Sequence, residues 1–498
     1  MRRITVLTTL GAVALGACAD QAVTPLEPGA TSLSISASGG EQTYLVRFKA
    51  IGVPKGFADA VAGLGGQVLF AHAAAGIGAV TGLDEARAAE LAAFSGIAAV
   101  DADAFTVLEA PSELMAEVAD VSPASPTNPA AAYFYARQWN MRAVDADDAW
   151  AAGQLGSPTV RVGILDTGID YLHPDLYGRV DLSLSRSYLS AAENARVPAG
   201  AHPVADLNYH GTHVAATVAS NGLAAAGVTS RVTLVGLKVC APGTPANGYR
   251  GTCPISGTLQ AILDAADMGL DVINMSLGGA YQRASLSGEG GFGPSFIATV
   301  NQVMSYANRK GTTVVVSAGN SRFDLGRNRI PDAEGNYIVI PGGLYASYCD
   351  AAATICVSAT GPTAQASTNG PWTNVDALAS YSNYGQGAID VAAPGGNASA
   401  VWAACSGFTL HPALAGCRSR YYNPATGGWS GSVVGLAGTS MAAPHVSGAA
   451  AIIAGQVGRS PAQIEARLQQ TSDDLGMPGV DPAYGHGRLN VGRVAGAL

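Results

Sequence analysis

At 498 residues the chain is long enough for two or three domains and a large buried core. Hydrophobic residues make up 48% and charged residues 13%, which excludes a disordered chain. The net charge of -9, with no run of Lys or Arg, leaves no electrostatic footprint for nucleic acid and excludes it as a partner.

The chain opens with "MRRITVLTTLGAVALGACAD", two arginines followed by an uncharged stretch from Ile4 to Ala17 and then small residues. This is the pattern of a bacterial-type export signal, too short to span a bilayer, and it is assigned to residues 1–19. Leu15-Gly16-Ala17-Cys18 looks like a lipobox, so Cys18 is expected to be lipidated and to provide the only link to a membrane. The competing reading is cleavage after Ala19 and free secretion. Setting Cys18 aside leaves six of the seven cysteines, an even set suited to an oxidising compartment. They fall as neighbours, Cys240 with Cys253, Cys349 with Cys356 and Cys405 with Cys417, and pairing within each couple is expected. No couple has the C-x2-C spacing, so zinc is not expected.

Residues 20–40 are polar and aperiodic and read as a linker. From 41 to 110 the pattern is β-α-β-β-α-β, a ferredoxin-like α+β unit. "TYLVRFKAI" alternates as a strand, Gly56 to Leu64 suits a helix, and "GGQVLFAH" and "AGIGAVTGL" suit two strands. "LDEARAAELAAF" has helical spacing, and "IAAVDAD" closes as a strand. Residues 111–132 are rich in Pro, Ser and Ala and read as a linker and processing region.

From 133 to 498 strands alternate with helices. "TVRVGILD", "VTLVGLKV", "DVINMSL", "TTVVVSAG", "TICVSAT" and "AIDVAAPG" are near-continuous apolar runs. Helical patterns cover His210 to Ala219, Gly257 to Met268, Ser295 to Arg309, Thr439 to Ala454 and Pro461 to Thr471. The expected fold is α/β, a mostly parallel sheet with helices on both faces, its site at the carboxyl ends of the strands.

Several of the candidates stand at such ends. Asp166 follows the strand "VRVGILD". The Asp-Thr-Gly it begins also occurs in aspartic peptidases, but their mechanism needs two carboxylates and the chain has no second copy. His210 and His213 lie three apart on one helix; the HExxH pattern is absent, and a metal is not expected there. Asn320 ends "VVVSAGN" as a turn residue or as an amide donor to an oxyanion. Ser440, with Thr439, opens a helix either as a cap or as a nucleophile. Together these residues supply an orienting acid, a base, an amide and a hydroxyl, the complement of Ser/His/Asp acyl transfer. An α/β-hydrolase esterase would need G-x-S-x-G and the order Ser, Asp, His, whereas here the order is Asp, His, Ser.

"ILDTGIDYLHPDL", "HGTHVA" and "GTSMAAPHVSG", with "NMSLGG" and "SAGN" between them, resemble the subtilisin-like serine peptidases. The resemblance runs from about Gln138 to the C-terminus. It implies an exported endopeptidase with Ser440 as nucleophile, His210 as base, Asp166 orienting it, and Asn320 with the Ser440 N-H as oxyanion hole. His213 would be structural. Ser276, Leu277 and Gly278 would pair with the substrate backbone, and Ala318 and Gly319 would line the primary specificity pocket. Residues 42–108 resemble the family's propeptide, an intramolecular inhibitor cut away between about Glu109 and Tyr133. Protein or peptide substrates and a monomer are expected, with no cofactor for the chemistry. A structural calcium ion is raised by Asp175, which matches one family ligand, although the run from Ala219 to Val232 is short and poor in oxygen ligands.

Overall fold

The computed structural model describes residues 42–108, 115–121, 127–283, 294–419, 421–424 and 428–496. The export signal, Cys18 and the 20–40 linker lie outside them.

The N-terminal unit has the expected order: β1 (Gln42–Phe48), α1 (Phe57–Gly63), β2 (Gln67–His72), β3 (Ile77–Leu83), α2 (Glu85–Ala92) and β4 (Ile97–Ala102). The sheet is antiparallel in the order β2-β3-β1-β4. Period-2 alternation sends Tyr44, Val46 and Phe48 inward, where they meet Phe57, Val61 and Leu91 from the helices. Leu45 faces the other way, with Ile77 and Ala79, into a cluster that includes Leu259, Ile262, Phe296 and Val300 of the following unit.

Two short strands follow. β5 (Phe105–Val107) pairs outside its own unit, as shown below, and so does β6 (Met115–Val121). β6 falls in the stretch expected to be a linker. Its side chains carry no alternating apolar signal, because six of the seven are exposed or half-buried and only Val121 is buried.

The larger unit is built on β7 (Arg161–Asp166), β8 (Arg186–Ser187), α3 (His210–Val218), β9 (Thr233–Lys238), β10 (Thr252–Pro254), α4 (Ile255–Asp267), β11 (Val272–Met275), α5 (Pro294–Arg309), β12 (Thr313–Ser317), β13 (Thr354–Thr360), β14 (Val391–Pro394), β15 (Val401–Ala404), β16 (Gly428–Leu436), α6 (Thr439–Val457) and α7 (Pro461–Thr471). Seven strands form one sheet in the order β14-β13-β12-β11-β7-β9-β8. Every pair in it is parallel. Both faces are covered, which explains why the strands read as continuous apolar runs. Val162, Ile164, Val272 and Val315 point towards α3, α6 and α7. Leu165, Ile273, Val314 and Val316 point towards α4 and α5.

The N-terminal unit docks on the starts of α4 and α5. Neither α4 nor its neighbour Pro254 supplies a side-chain cap. The carboxylate of Asp103 supplies one instead, accepting from Ser256 N (3.0 Å) and from the Ser256 hydroxyl. Asp101 accepts from the Ser295 hydroxyl at 2.9 Å. Cys240 is joined to Cys253, Cys349 to Cys356 and Cys405 to Cys417. No helix among the described residues is long and apolar enough to cross a membrane.

Candidate active site

Asp166 ends β7, His210 begins α3, Ser276 follows β11, Ala318 and Asn320 follow β12, and Ser440 lies in the first turn of α6. They meet at the carboxyl edge of the sheet. The turn after Asp166 needs glycine: Gly168 has φ +119°, and a Cβ there would lie 2.4 Å from the Val204 carbonyl oxygen.

Asp166 is fully buried. Its Oδ1 accepts from Thr167 N at 2.7 Å and stands 2.8 Å from His210 Nδ1, with Oδ2 at 3.0 Å from the same nitrogen. With Nδ1-H held by the carboxylate, Nε2 is the ring's basic nitrogen. Burial pulls the His210 pKa down, but attraction and hydrogen bonding to Asp166, with a further contribution from Asp206, outweigh it and leave the pKa raised.

Asp206 and its partners were not among the sequence candidates. Its carboxylate accepts from Thr167 Oγ1 (2.8 Å), Asn208 N (3.0 Å), Thr212 N (2.9 Å) and Thr212 Oγ1 (2.6 Å). Thr167 Oγ1 in turn accepts from Gly211 N at 2.9 Å. Tyr209, at the N-cap of α3, gives no side-chain cap; Asn208 Oδ1 accepts from His210 N at 3.3 Å, and Thr167 and Asp206 take the next two N-H groups of the histidine helix. The only trace of this in the sequence is an aspartate four residues before the histidine.

At the other side of the site, Asn320 Oδ1 accepts from Thr439 N (2.9 Å) and Thr439 Oγ1 (2.8 Å). A backbone N-H cannot accept, so this pair fixes which end of the amide is oxygen and leaves Nδ2 as the donor. The same threonine hydroxyl accepts from Gly319 N at 3.0 Å. Asn383, also absent from the sequence candidates, braces the loop: its Nδ2 donates to Ala318 O (2.8 Å) and its Oδ1 accepts from Ser321 N (3.1 Å) and Phe323 N (2.8 Å).

Neither hydroxyl at the start of α6 acts as a helix cap, which removes that alternative for Ser440. Its hydroxyl donates to the Ser276 carbonyl at 3.1 Å. Its own carbonyl accepts from Ser276 Oγ at 2.7 Å. That carbonyl is available because Pro444, inside α6, lacks the N-H that would have bonded to it. Ser276 Oγ is held by Asn274 Nδ2 (2.8 Å), and Asn274 Oδ1 by the Ser447 hydroxyl (2.8 Å). Leu277 is buried, and Gly278 adopts φ +136°.

His213 stands apart from this chemistry. It is buried, its Nε2 lies 3.0 Å from the Val401 carbonyl, and burial pushes its pKa down to about 3. His445 is likewise buried, with its pKa pushed down to about 4. Among the described residues no group of three or more His, Cys, Asp or Glu could hold a metal. The Asp175 carboxylate accepts from Leu223 N (2.8 Å), Ala224 N (2.9 Å) and Ala225 N (2.9 Å).

The subtilase family model matches residues 157–487. The chain is 30% identical over 363 residues to a thermophilic serine proteinase of Bacillus sp. (strain AK1), covering 72% of this chain and 67% of that one. It is 28% identical over 361 residues to thermitase of Thermoactinomyces vulgaris, covering 72% and 95%. Among solved structures it resembles an epidermin leader peptide processing serine protease from Staphylococcus aureus, with a TM-score of 0.65, 19% identity and coverage of 91% and 98%. Fervidolysin from Fervidobacterium pennivorans gives a TM-score of 0.62 at 20% identity, covering 93% and 62%. With the family model matching well over half of its length, the chain belongs to the subtilase family and is a serine-type endopeptidase.

Proposed function

We propose that the chain hydrolyses peptide bonds with Ser440 as nucleophile, His210 as general base and Asp166 as the residue that orients the imidazole and balances its charge. The carrying observation is the pairing of His210 Nδ1 with the buried Asp166 carboxylate, on a helix that packs against the helix bearing Ser440 in its first turn. Ser440 Oγ turns from the Ser276 carbonyl to His210 Nε2, gives up its proton there and attacks the substrate carbonyl carbon. The proton then passes to the leaving amine, and water releases the acyl group by the same steps. Asn320 Nδ2 and the Ser440 N-H, unpaired in the first turn of α6, stabilise the oxyanion. Ser276, Leu277 and Gly278 pair with the substrate backbone, and Ala318 and Gly319 line the primary specificity pocket. The chemistry takes no cofactor, and substrates are proteins or peptides.

Residues 41–110 act as an intramolecular inhibitor removed by self-processing. Two anchors support this. On one side β5 pairs antiparallel with β10, Thr106 opposite Cys253, and Leu108 N donates to Gly251 O at 2.8 Å. Thr167, next to Asp166, flanks that glycine. On the other side Met115 pairs with Gly435, five residues before Ser440. β5 ends beside β10 and β6 starts beside the end of β16 nearest Ser440, which supports a first cut between Leu108 and Met115. Export, with Cys18 lipidated at the cell envelope, completes the reading.

A fluorophosphonate probe should label the processed protein at Ser440. Ser440→Ala should lose the label, lower hydrolysis of unfolded casein by about 10⁶-fold, a magnitude carried over from subtilisin, and leave the precursor full length. Labelling or self-cleavage that persists in Ser440→Ala overturns the assignment.

A further inference from the structure

β6 occupies a place of its own. One edge of β16 is used by β15, with Val401 to Ala404 opposite Leu436 to Val433. The opposite edge is taken by β6, antiparallel, from Met115 against Gly435 to Val121 against Trp429. The partnership is mainly between backbones. Met115 and Val118 are 43% and 44% exposed. Val121 alone is buried, among Phe134, Ala224, Ala225, Trp402 and Val433. Glu117 adds one ion pair to Arg137 at 2.7 Å, with the glutamate half in solvent, so it contributes little. A strand held this way reads its partner's N-H and C=O groups and very little of its side chains.

The direction of β6 is that of a substrate's C-terminal half. β16 runs towards Ser440, so an antiparallel partner leaving the site runs away from it, as β6 does. We propose that this edge of β16 is an extended binding rail for polypeptide residues on the C-terminal side of the cleaved bond, and that β6 is its first occupant. The proposal rests on the peptidase reading above. In the precursor the rail is filled by the chain's own segment. The first cut leaves β6 at the new N-terminus, still paired, and the rail opens only when β6 is removed by a second cut or displaced. The occupant that follows is an extended, unfolded polypeptide of undemanding sequence, since the ladder is made by main-chain groups.

The test uses the processed enzyme and fluorogenic peptides of one sequence around the scissile bond, lengthened stepwise on the C-terminal side. Lengthening along the rail should raise kcat/KM by about tenfold, through several ladder bonds each of modest net worth. N-methylation at successive positions of the long peptide should cancel the gain at alternate residues only, since N-H groups of a strand face its partner at every second position. The shortest peptide reports the serine chemistry alone, so its cleavage separates failure of the rail from failure of the peptidase reading. Rates independent of length, or loss without alternation, overturn the proposal. So does an enzyme fully active on long substrates while residues 115–121 stay paired with β16, read as protection of their amides from hydrogen exchange. Val121→Asp, which removes the one buried anchor, should shorten the lag before full activity on long substrates without changing the rate on the shortest; an unchanged lag counts against β6 as the occupant.

Discussion

The two folded units cover their sheets in different ways. In the larger unit both faces of the seven-stranded sheet are packed by its own helices, and the continuous apolar strands follow from that. In the N-terminal unit one face is covered by α1 and α2, while Leu45, Ile77 and Ala79 on the other are covered only by α4 and α5 of its neighbour. Its private core is ten residues. A domain of this size is marginal even with both faces covered. The difference bears on the inhibitor role proposed for the N-terminal unit: part of its order depends on the neighbour it packs against, so a unit cut away from that surface loses support.

If the larger unit alone carries the chemistry, damage there acts on rate and leaves the union of the units intact. Asn320→Ala should lower kcat by about 10²–10³-fold with little change in KM, the magnitude measured for the corresponding donor of subtilisin. A change confined to KM would remove Asn320 from the oxyanion hole. The union is broken from the other side. Leu45→Asp places a charge in the shared cluster and should weaken inhibition in trans by residues 42–108 by at least about a hundredfold, leaving the larger unit's unfolding midpoint unchanged. Equal inhibition by both forms would mean that the unit folds and binds without its outer face.

Smaller effects sharpen the same division. Burial raises the Asp103 carboxyl to about 6 against hydrogen bonds from Ser256 and Ala104 that lower it. A carboxyl whose pKa is raised by association favours association in its neutral form. Inhibition should therefore weaken as pH rises from the ordinary carboxylate range to about 6 and then level off. Asp103→Asn should flatten that slope. Within the site the raised His210 pKa puts the acid limb of kcat/KM above the ordinary histidine range, because the base must be neutral. Asp166 and Asp206 both raise it, and His213 beside it stays neutral. Asp206→Asn should move the limb to lower pH; an unmoved limb with reduced rate would make Asp206 a helix support only.

The fold was legible in the sequence wherever burial imposes a period. Strands such as Arg161–Asp166 and helices such as Pro461–Thr471 appear within a residue or two of their expected places. Asp166, His210, Asn320 and Ser440 were legible because each stands in a short local motif at the end of an element. What escaped depends on contacts far apart in the chain. β6 has no apolar alternation because its partner holds it by the backbone. Asn383 braces Ala318, 65 residues upstream. Asp175 stands out by its motif, but its bonds to the Leu223–Ala225 backbone depend on a return of the chain that no local pattern announces.

The missing N-H of Pro444 has a mechanical consequence. An ordinary helix would tie the Ser440 carbonyl to its own next turn, so the proposed nucleophile would ride on the helix alone. Here the tie goes to Ser276, at the head of the strand proposed to hold the substrate. Thermal displacement of that strand then carries the serine with it, and the distance between attacking oxygen and scissile bond varies less than either position does. A residue at 444 able to offer an N-H would let helix and strand compete for one oxygen, and the two halves of the reaction would lose their common frame.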